Sequence, residues 1–222
     1  MAHPVLVIGN KNYSSWSLRP WLLLSAKGVA FDEVRVPLYQ QQSKAAIQAH
    51  APAGRTQYGK VPILKDGDLV VWDSLAICEY VAERFPELRC WPSNPRDRAR
   101  ARSISAEMHS GFRELRTQMP MNCRRTPAPV PRGAELDADI ARVIEIWTQA
   151  LADHAAPGPY LFGEFGIADA MYAPVVLRFT AYAVDLPTTA RGYADAILAL
   201  PALRAWIADA RREPEVLEHF QK

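Results

Sequence analysis

Residues 4–28 read PVLVIGNKNYSSWSLRPWLLLSAKG, and the fold is decided in this stretch. Four large apolar residues in a row, Val5-Leu6-Val7-Ile8, leave no polar face, which predicts a strand covered on both sides. Ser14 to Ser17 place hydroxyls where the open N–H groups of a helix start need acceptors. Trp16 to Lys27 is predicted as that helix, and Gly28 just beyond it is a natural stop. A buried strand feeding an apolar helix is the opening of an α/β unit.

Outward from this stretch, Phe31 to Val36 alternates as a second strand, and a polar helix is predicted from Ser43 to about Ala49. Val61-Pro62-Ile63-Leu64, the turn Lys65-Asp66-Gly67-Asp68 and Leu69-Val70-Val71-Trp72 read as a hairpin, with Asp-Gly in the turn position. Asp73-Ser74 starts a helix expected to run to Phe85. Pro86, Pro92 and Pro95 then fall within ten positions, the mark of an interdomain linker. After Pro95 no strand pattern remains. Ile104, Met108, Phe112, Leu115 and Met119 recur at helical spacing, predicting one long helix that Pro120 ends. Leu136, Ile140, Val143, Ile144, Trp147 and Leu151 repeat the spacing, and further helices are expected over about 167–184, 193–210 and 213–220. The expected organisation is a mixed four-stranded α/β domain over residues 1–85, a linker over 86–95 and an all-helical domain over 96–222.

The 222 residues are 49% apolar and 23% charged, ordinary globular composition that excludes intrinsic disorder. The longest apolar runs are far too short to cross a bilayer. The opening residues lack the basic and long apolar segments of a signal peptide. Cys78, Cys90 and Cys123 form no C-x-x-C pair and no zinc spacing with His, so no metal is expected and a reducing, cytoplasmic compartment is the default. A net charge of +2 gives no argument for nucleic acid. The charge is unevenly spread: nine Arg against three acids over 96–132, and seven basic residues against 13 acids from 133 onward. The basic segment is either a solvated helix face or an attractor for an anionic ligand.

Three places could carry chemistry. In Tyr13-Ser14-Ser15-Trp16-Ser17-Leu18-Arg19-Pro20, a hydroxyl at a helix N-terminus could donate a hydrogen bond to an anion held by the helix dipole, or could simply cap the helix. No His or carboxylate lies nearby in sequence to make it a base. Val61-Pro62 is either an ordinary edge strand or, with a cis bond, a place where the Val61 backbone turns toward an extended ligand. Asp73-Ser74 is either a helix cap or a site for an α-amino-acid group. The residues alone leave these alternatives open.

Together, SSWSLRPWLLL, KVPIL, WDSLAICEY and GIADAMYAPVV resemble the cytosolic glutathione S-transferase family over nearly the whole chain. The SSxSxR form is most similar to its serine-type classes, especially zeta-like bacterial members. The resemblance implies a thioredoxin-like N-terminal domain, an all-α C-terminal domain and a homodimer, with no nucleic-acid or membrane partner. It implies glutathione as co-substrate and a small apolar electrophile as second substrate. Ser14 falls where the serine-type classes keep the hydroxyl that hydrogen-bonds the glutathione sulfur, with Ser15 the neighbouring alternative. Val61, before Pro62, falls where the family pairs its backbone with the cysteinyl unit. Asp73 and Ser74 fall where the γ-glutamyl group is held, and Gln41 and Lys60 are candidates for the glycine end. The second-substrate pocket is expected to be lined by Trp16, Met108, His109, Phe112 and Met119, although Met and aromatic residues at helical spacing also suit a core. The family's other activities keep two alternatives open: glutathione-dependent isomerisation of the maleylacetoacetate type, and ligand binding without turnover.

Three departures from the family pattern stand out. Trp16 replaces the cysteine of the zeta-class SSCS form, which argues against an isomerase. Arg55 to Gly59 look inserted before Lys60. Gly166 stands where the family has a Ser or Thr helix cap, with Asp169 three residues on.

Overall fold

A computed structural model describes residues 3–51, 59–154 and 157–221. Arg55 to Tyr58 of the inserted stretch lie outside the described residues. The N-terminal half runs β1 (Val5–Ile8), α1 (Ser15–Ala26), β2 (Asp32–Arg35), α2 (Ser43–Gln48), β3 (Ile63–Asp66), β4 (Leu69–Trp72) and α3 (Ser74–Arg84). The strands form one mixed sheet in the order β2-β1-β3-β4, with β1 parallel to β2 and antiparallel to β3, and β3 antiparallel to β4. The unbroken apolar run of β1 is explained by its two covered faces. Leu6 and Ile8 join the main core with Leu18 and Leu22 of α1, while Val7 joins Val36, Ile63 and Ile47 of α2 in a smaller one.

The helical half contains α4 (Pro95–Ser110), α5 (Arg113–Gln118), α6 (Ala134–Asp153), α7 (Ile167–Ala181), α8 (Thr188–Ala199) and α9 (Pro201–Arg212). Helix α7 is buried along nearly its whole length and packs on both α1 and α4, tying the halves together. Single 3₁₀ turns occur at Pro86–Leu88 and Glu218–Phe220. The proline-rich stretch over 86–95 is pinned rather than loose. Cys90 and Trp91 are buried, and the Cys90 carbonyl accepts the Ile167 N–H at 2.9 Å.

Two expected helices are each divided. The stripe from Ile104 to Met119 is broken at Gly111, where a Cβ would stand 2.8 Å from the Glu107 carbonyl oxygen, and at Phe112, which is left-handed at φ 59°. A step of three or four residues survives such a break, so periodicity alone did not register it. The helix expected over 193–210 is α8 and α9, because Pro201 keeps Leu200 out of helical ψ. The segment expected as a helix over 213–220 is extended up to its closing 3₁₀ turn. At Gly166 a Cβ would stand 2.7 Å from the Cys90 carbonyl oxygen, which explains why no Ser or Thr cap occupies the position.

Candidate active site

Most of the residues singled out in the N-terminal half, all but Ser15 and Gln41, converge on one cleft of about 840 Å³. Ser14 and Trp16 line it from the start of α1, Lys60, Val61 and Pro62 from the entry to β3, and Asp73 and Ser74 from the start of α3. His109, near the end of α4, reaches it from the helical half.

Ser14 is the N-cap of α1. Its hydroxyl oxygen accepts the Ser17 N–H at 3.3 Å and lies 2.8 Å from the Ser17 hydroxyl. Ser17 Oγ in turn accepts the Gly9 N–H at 3.1 Å. The first turn of α1 carries no acid, so its positive dipole end is left uncompensated by the helix itself. Ser15 is placed differently: it is buried, does not line the cleft, and accepts a hydrogen bond from Arg178 Nη2 at 3.1 Å.

Across the cleft, the Val61–Pro62 peptide is cis. Asp73 caps α3 by accepting from the Leu75 and Ala76 N–H groups, and stands at φ 76°, a conformation that L-residues rarely adopt. Its other carboxylate oxygen lies 3.1 Å from His109 Nε2. The Ser74 hydroxyl is buried and has no hydrogen-bond partner among the described residues.

Trp16 is the half-exposed wall of the cleft beside His109, whose ring centroid is 5.2 Å away in an edge-on contact. The guanidinium of Arg19 lies 4.3 Å from the Trp16 ring centroid, and that of Arg116 lies 4.7 Å from it. Burial pushes the His109 imidazolium below its usual range. Asp73 opposes that shift, and the two guanidiniums reinforce it. Arg19 is fully buried, with its Nε donating to the Met171 carbonyl at 3.2 Å.

Gln41 is exposed and does not line the cleft; its neighbours Leu38, Tyr39, Gln40, Ser43 and Lys44 do. They were missed because nothing local marks them: Tyr39 takes a left-handed φ of 59°, and Ser43 holds the turn by donating to the Pro37 carbonyl and accepting the Gln40 N–H. Met108, Phe112 and Met119 are buried in the main core and do not line the cleft. Arg124 and Arg125 are tied to backbone carbonyls, Arg124 to that of Glu213 at 2.7 Å and Arg125 to that of Ala181 at 3.3 Å. The Cys78, Cys90 and Cys123 thiols are all pushed up by burial, Cys123 to about 12, so none offers a thiolate near neutral pH. No cluster of metal-ligating side chains occurs among the described residues.

Two family models match the chain: "Glutathione S-transferase, N-terminal domain" over residues 13–84 and "Glutathione S-transferase, C-terminal domain" over residues 131–209. Together they take in more than half of it, in the order the fold requires. The chain belongs to the glutathione S-transferase family. A maleylacetoacetate isomerase of Rattus norvegicus is 29% identical over 219 residues, covering 96% of this chain and 94% of that protein. A "Probable maleylacetoacetate isomerase" of Caenorhabditis elegans is 33% identical over 112 residues, and the match spans about half the length of each chain. Among solved structures, a glutathione transferase homologue from Burkholderia with bound glutathione superposes with a TM-score of 0.71 at 21% identity, covering 95% of this chain and all of that one. That likeness is one of fold.

Proposed function

We propose that this chain is a glutathione transferase of the serine type, and that Ser14 activates the glutathione thiol. The observation that carries this reading is the position of Ser14. Its hydroxyl caps an acid-free helix terminus that opens onto the cleft, opposite the cis-proline turn and the Asp73-Ser74 helix start.

A free thiol with a pKa of about 8.5 is mostly protonated at neutral pH, whereas the thiolate is the nucleophile. Ser14 Oγ donates to Ser17 Oγ, which also accepts the Gly9 N–H; a bound sulfur would take the Ser14 proton in place of Ser17 Oγ, whose Gly9 bond stays made. One charge-assisted hydrogen bond and the helix dipole both favour the anion. The guanidiniums of Arg19 and Arg116 against Trp16 add positive charge on the same wall. Lowering the pKa by one unit requires only about 1.4 kcal/mol, within reach of a single such bond. The thiol proton leaves to solvent and the sulfur adds to a small apolar electrophile seated against Trp16.

Val61 pairs its backbone with the cysteinyl unit, Asp73 and the unpartnered Ser74 hydroxyl take the γ-glutamyl group, and Lys60 meets the glycine end. With Gln41 outside the cleft lining, Lys44 and Gln40 are better placed than Gln41 to share that role. The protein works as a cytoplasmic homodimer in detoxification, without a metal. The family supports the dimer, and three free cysteines support a reducing compartment. Light scattering at twice the mass of the chain is expected, and a monomer mass would refute the dimer.

A second reading, glutathione-dependent isomerisation, is favoured by the rat relative, which matches along nearly the whole chain. It would use the same thiolate, with Trp16 in the place of the zeta-class cysteine. Turnover of chlorodinitrobenzene by wild type and Ser14→Ala tests the main reading. The variant is expected to lose about tenfold or more in kcat while glutathione binding changes little. Equal losses in both would reduce Ser14 to a binding or capping residue.

A further inference from the structure

No regular structure holds the turn that carries Ser14. Between β1 and α1 the Asn10 carbonyl accepts the Tyr13 N–H at 3.2 Å and the Ser14 N–H at 2.8 Å, the Tyr13 carbonyl accepts the Ser15 N–H at 3.1 Å, and the Asn12 carbonyl accepts the Cys123 N–H at 3.3 Å. The N–H groups of Lys11 and Asn12 donate instead to one side chain two hundred residues away. Glu213 Oε1 accepts from Lys11 at 2.7 Å and Glu213 Oε2 from Asn12 at 3.0 Å. Two successive N–H groups form an anion-binding concavity, and here the anion is the chain's own carboxylate. Glu213 is buried, and Arg35 Nη1 lies 3.5 Å from its Oε1.

Beyond Glu213 the chain continues as a strap over the same turn. The Tyr13 hydroxyl accepts from Leu217 N at 3.2 Å, Gln221 Nε2 at 3.1 Å and Arg124 Nη2 at 2.8 Å. The Tyr13 and Phe220 ring centroids are 4.9 Å apart. His219 packs edge-on against Tyr39, a wall of the cleft, at 4.5 Å.

We propose that Glu213 and the strap it begins, Glu213–Gln221, are a positioning device for Ser14. This rests on the reading of Ser14 as the thiolate donor. A hydrogen bond to sulfur is useful only if the donor is held within a few tenths of an ångström of its place. Ser14 follows an irregular turn, and the carboxylate fixes that turn by the two amides its own backbone leaves over. Glu213 does not line the cleft and acts only through Ser14.

The test is a double-mutant cycle on the full chain: Glu213→Gln and Glu213→Ala, each in the wild-type and in the Ser14→Ala background. The readouts are the pKa of the bound glutathione thiol, from its ultraviolet thiolate band, together with kcat, the glutathione KM and thermal stability. In the wild-type background Glu213→Gln is expected to raise the thiol pKa by up to about one unit and to lower kcat by about tenfold, with a smaller change in KM. In the Ser14→Ala background it is expected to move neither. Glu213→Gln keeps one acceptor and the side-chain volume, so it remains informative if Glu213→Ala does not fold. Equal effects in both backgrounds, or lost thermal stability with the thiol pKa unmoved, would overturn the positioning role. Ser14→Ala alone, read with Glu213 intact, tests the underlying reading. A thiol pKa that it leaves unchanged would remove Ser14 as the donor, and the positioning role with it.

Discussion

Two helix starts in this molecule are built from similar materials and do different things. At α1, Ser14 caps a terminus with no acid in its first turn, and the hydroxyl opens onto the large cleft. At α7, Gly166 precedes a first turn that carries Asp169, whose carboxylate accepts the Leu161 N–H at 3.0 Å and the Gly166 N–H at 2.9 Å. The next amide, Ile167, is taken by the Cys90 carbonyl. Both termini border a concavity, that beside α7 being about 400 Å³. The difference lies in the electrostatics. At α7 the chain spends its own carboxylate on the positive end, which serves stability. At α1 no carboxylate of the first turn takes that end, and in the function proposed above it is the thiolate of glutathione that does.

Asp169→Ala should show the largest effect on stability and none on chemistry. It leaves two backbone N–H groups without their acceptors, at about 1–3 kcal/mol each. Thermal or urea unfolding should record a loss of several kcal/mol, while the thiol pKa of bound glutathione stays where it was. Movement of that pKa would mean that the two helix starts are coupled and the contrast fails.

Ser14→Ala should show the reverse: about 1 kcal/mol of stability for a lost cap, against the loss of turnover described above. A stability loss like that of Asp169→Ala, with turnover intact, would make both helix starts structural.

The smallest effect is in pH. Burial raises the Asp169 carboxyl to about 6, against the pull of its two backbone hydrogen bonds. An acid raised on folding binds its proton more tightly in the native state. Its contribution to stability is therefore fullest below its unfolded value of about 3.9 and is lost as pH rises through about 6. Asp169→Asn should flatten that part of the stability profile. A profile unchanged by the substitution would show that Asp169 is ionised throughout, and that the two backbone N–H groups outweigh burial.

Much of this was legible in the sequence because the signals are local. Val5–Ile8 announces a doubly covered strand, Ser14–Ser17 a helix start and Asp66-Gly67 a hairpin, and the structure has all three. What was not legible is long-range. Periodicity cannot say whether Met108 or Met119 faces a cleft or a core, since both need the same spacing, and the structure buries both. Nor can it register a break such as Gly111-Phe112 when the apolar stripe resumes in phase. The strap from Glu213 has no local signature, because its meaning lies in amides at Lys11 and Asn12. The cleft wall at Leu38–Gln40 is likewise made by a turn whose residues carry no motif.

The central claim is that Ser14 at an uncompensated helix start turns the thiol of glutathione into a thiolate. Titration of glutathione into wild type and Ser14→Ala, with calorimetry for binding and ultraviolet absorbance for the thiolate, tests it most directly. The account predicts binding to both proteins and a thiolate band at neutral pH in the wild type alone. Binding with no thiolate band in the wild type, or with the same band in both, would contradict it.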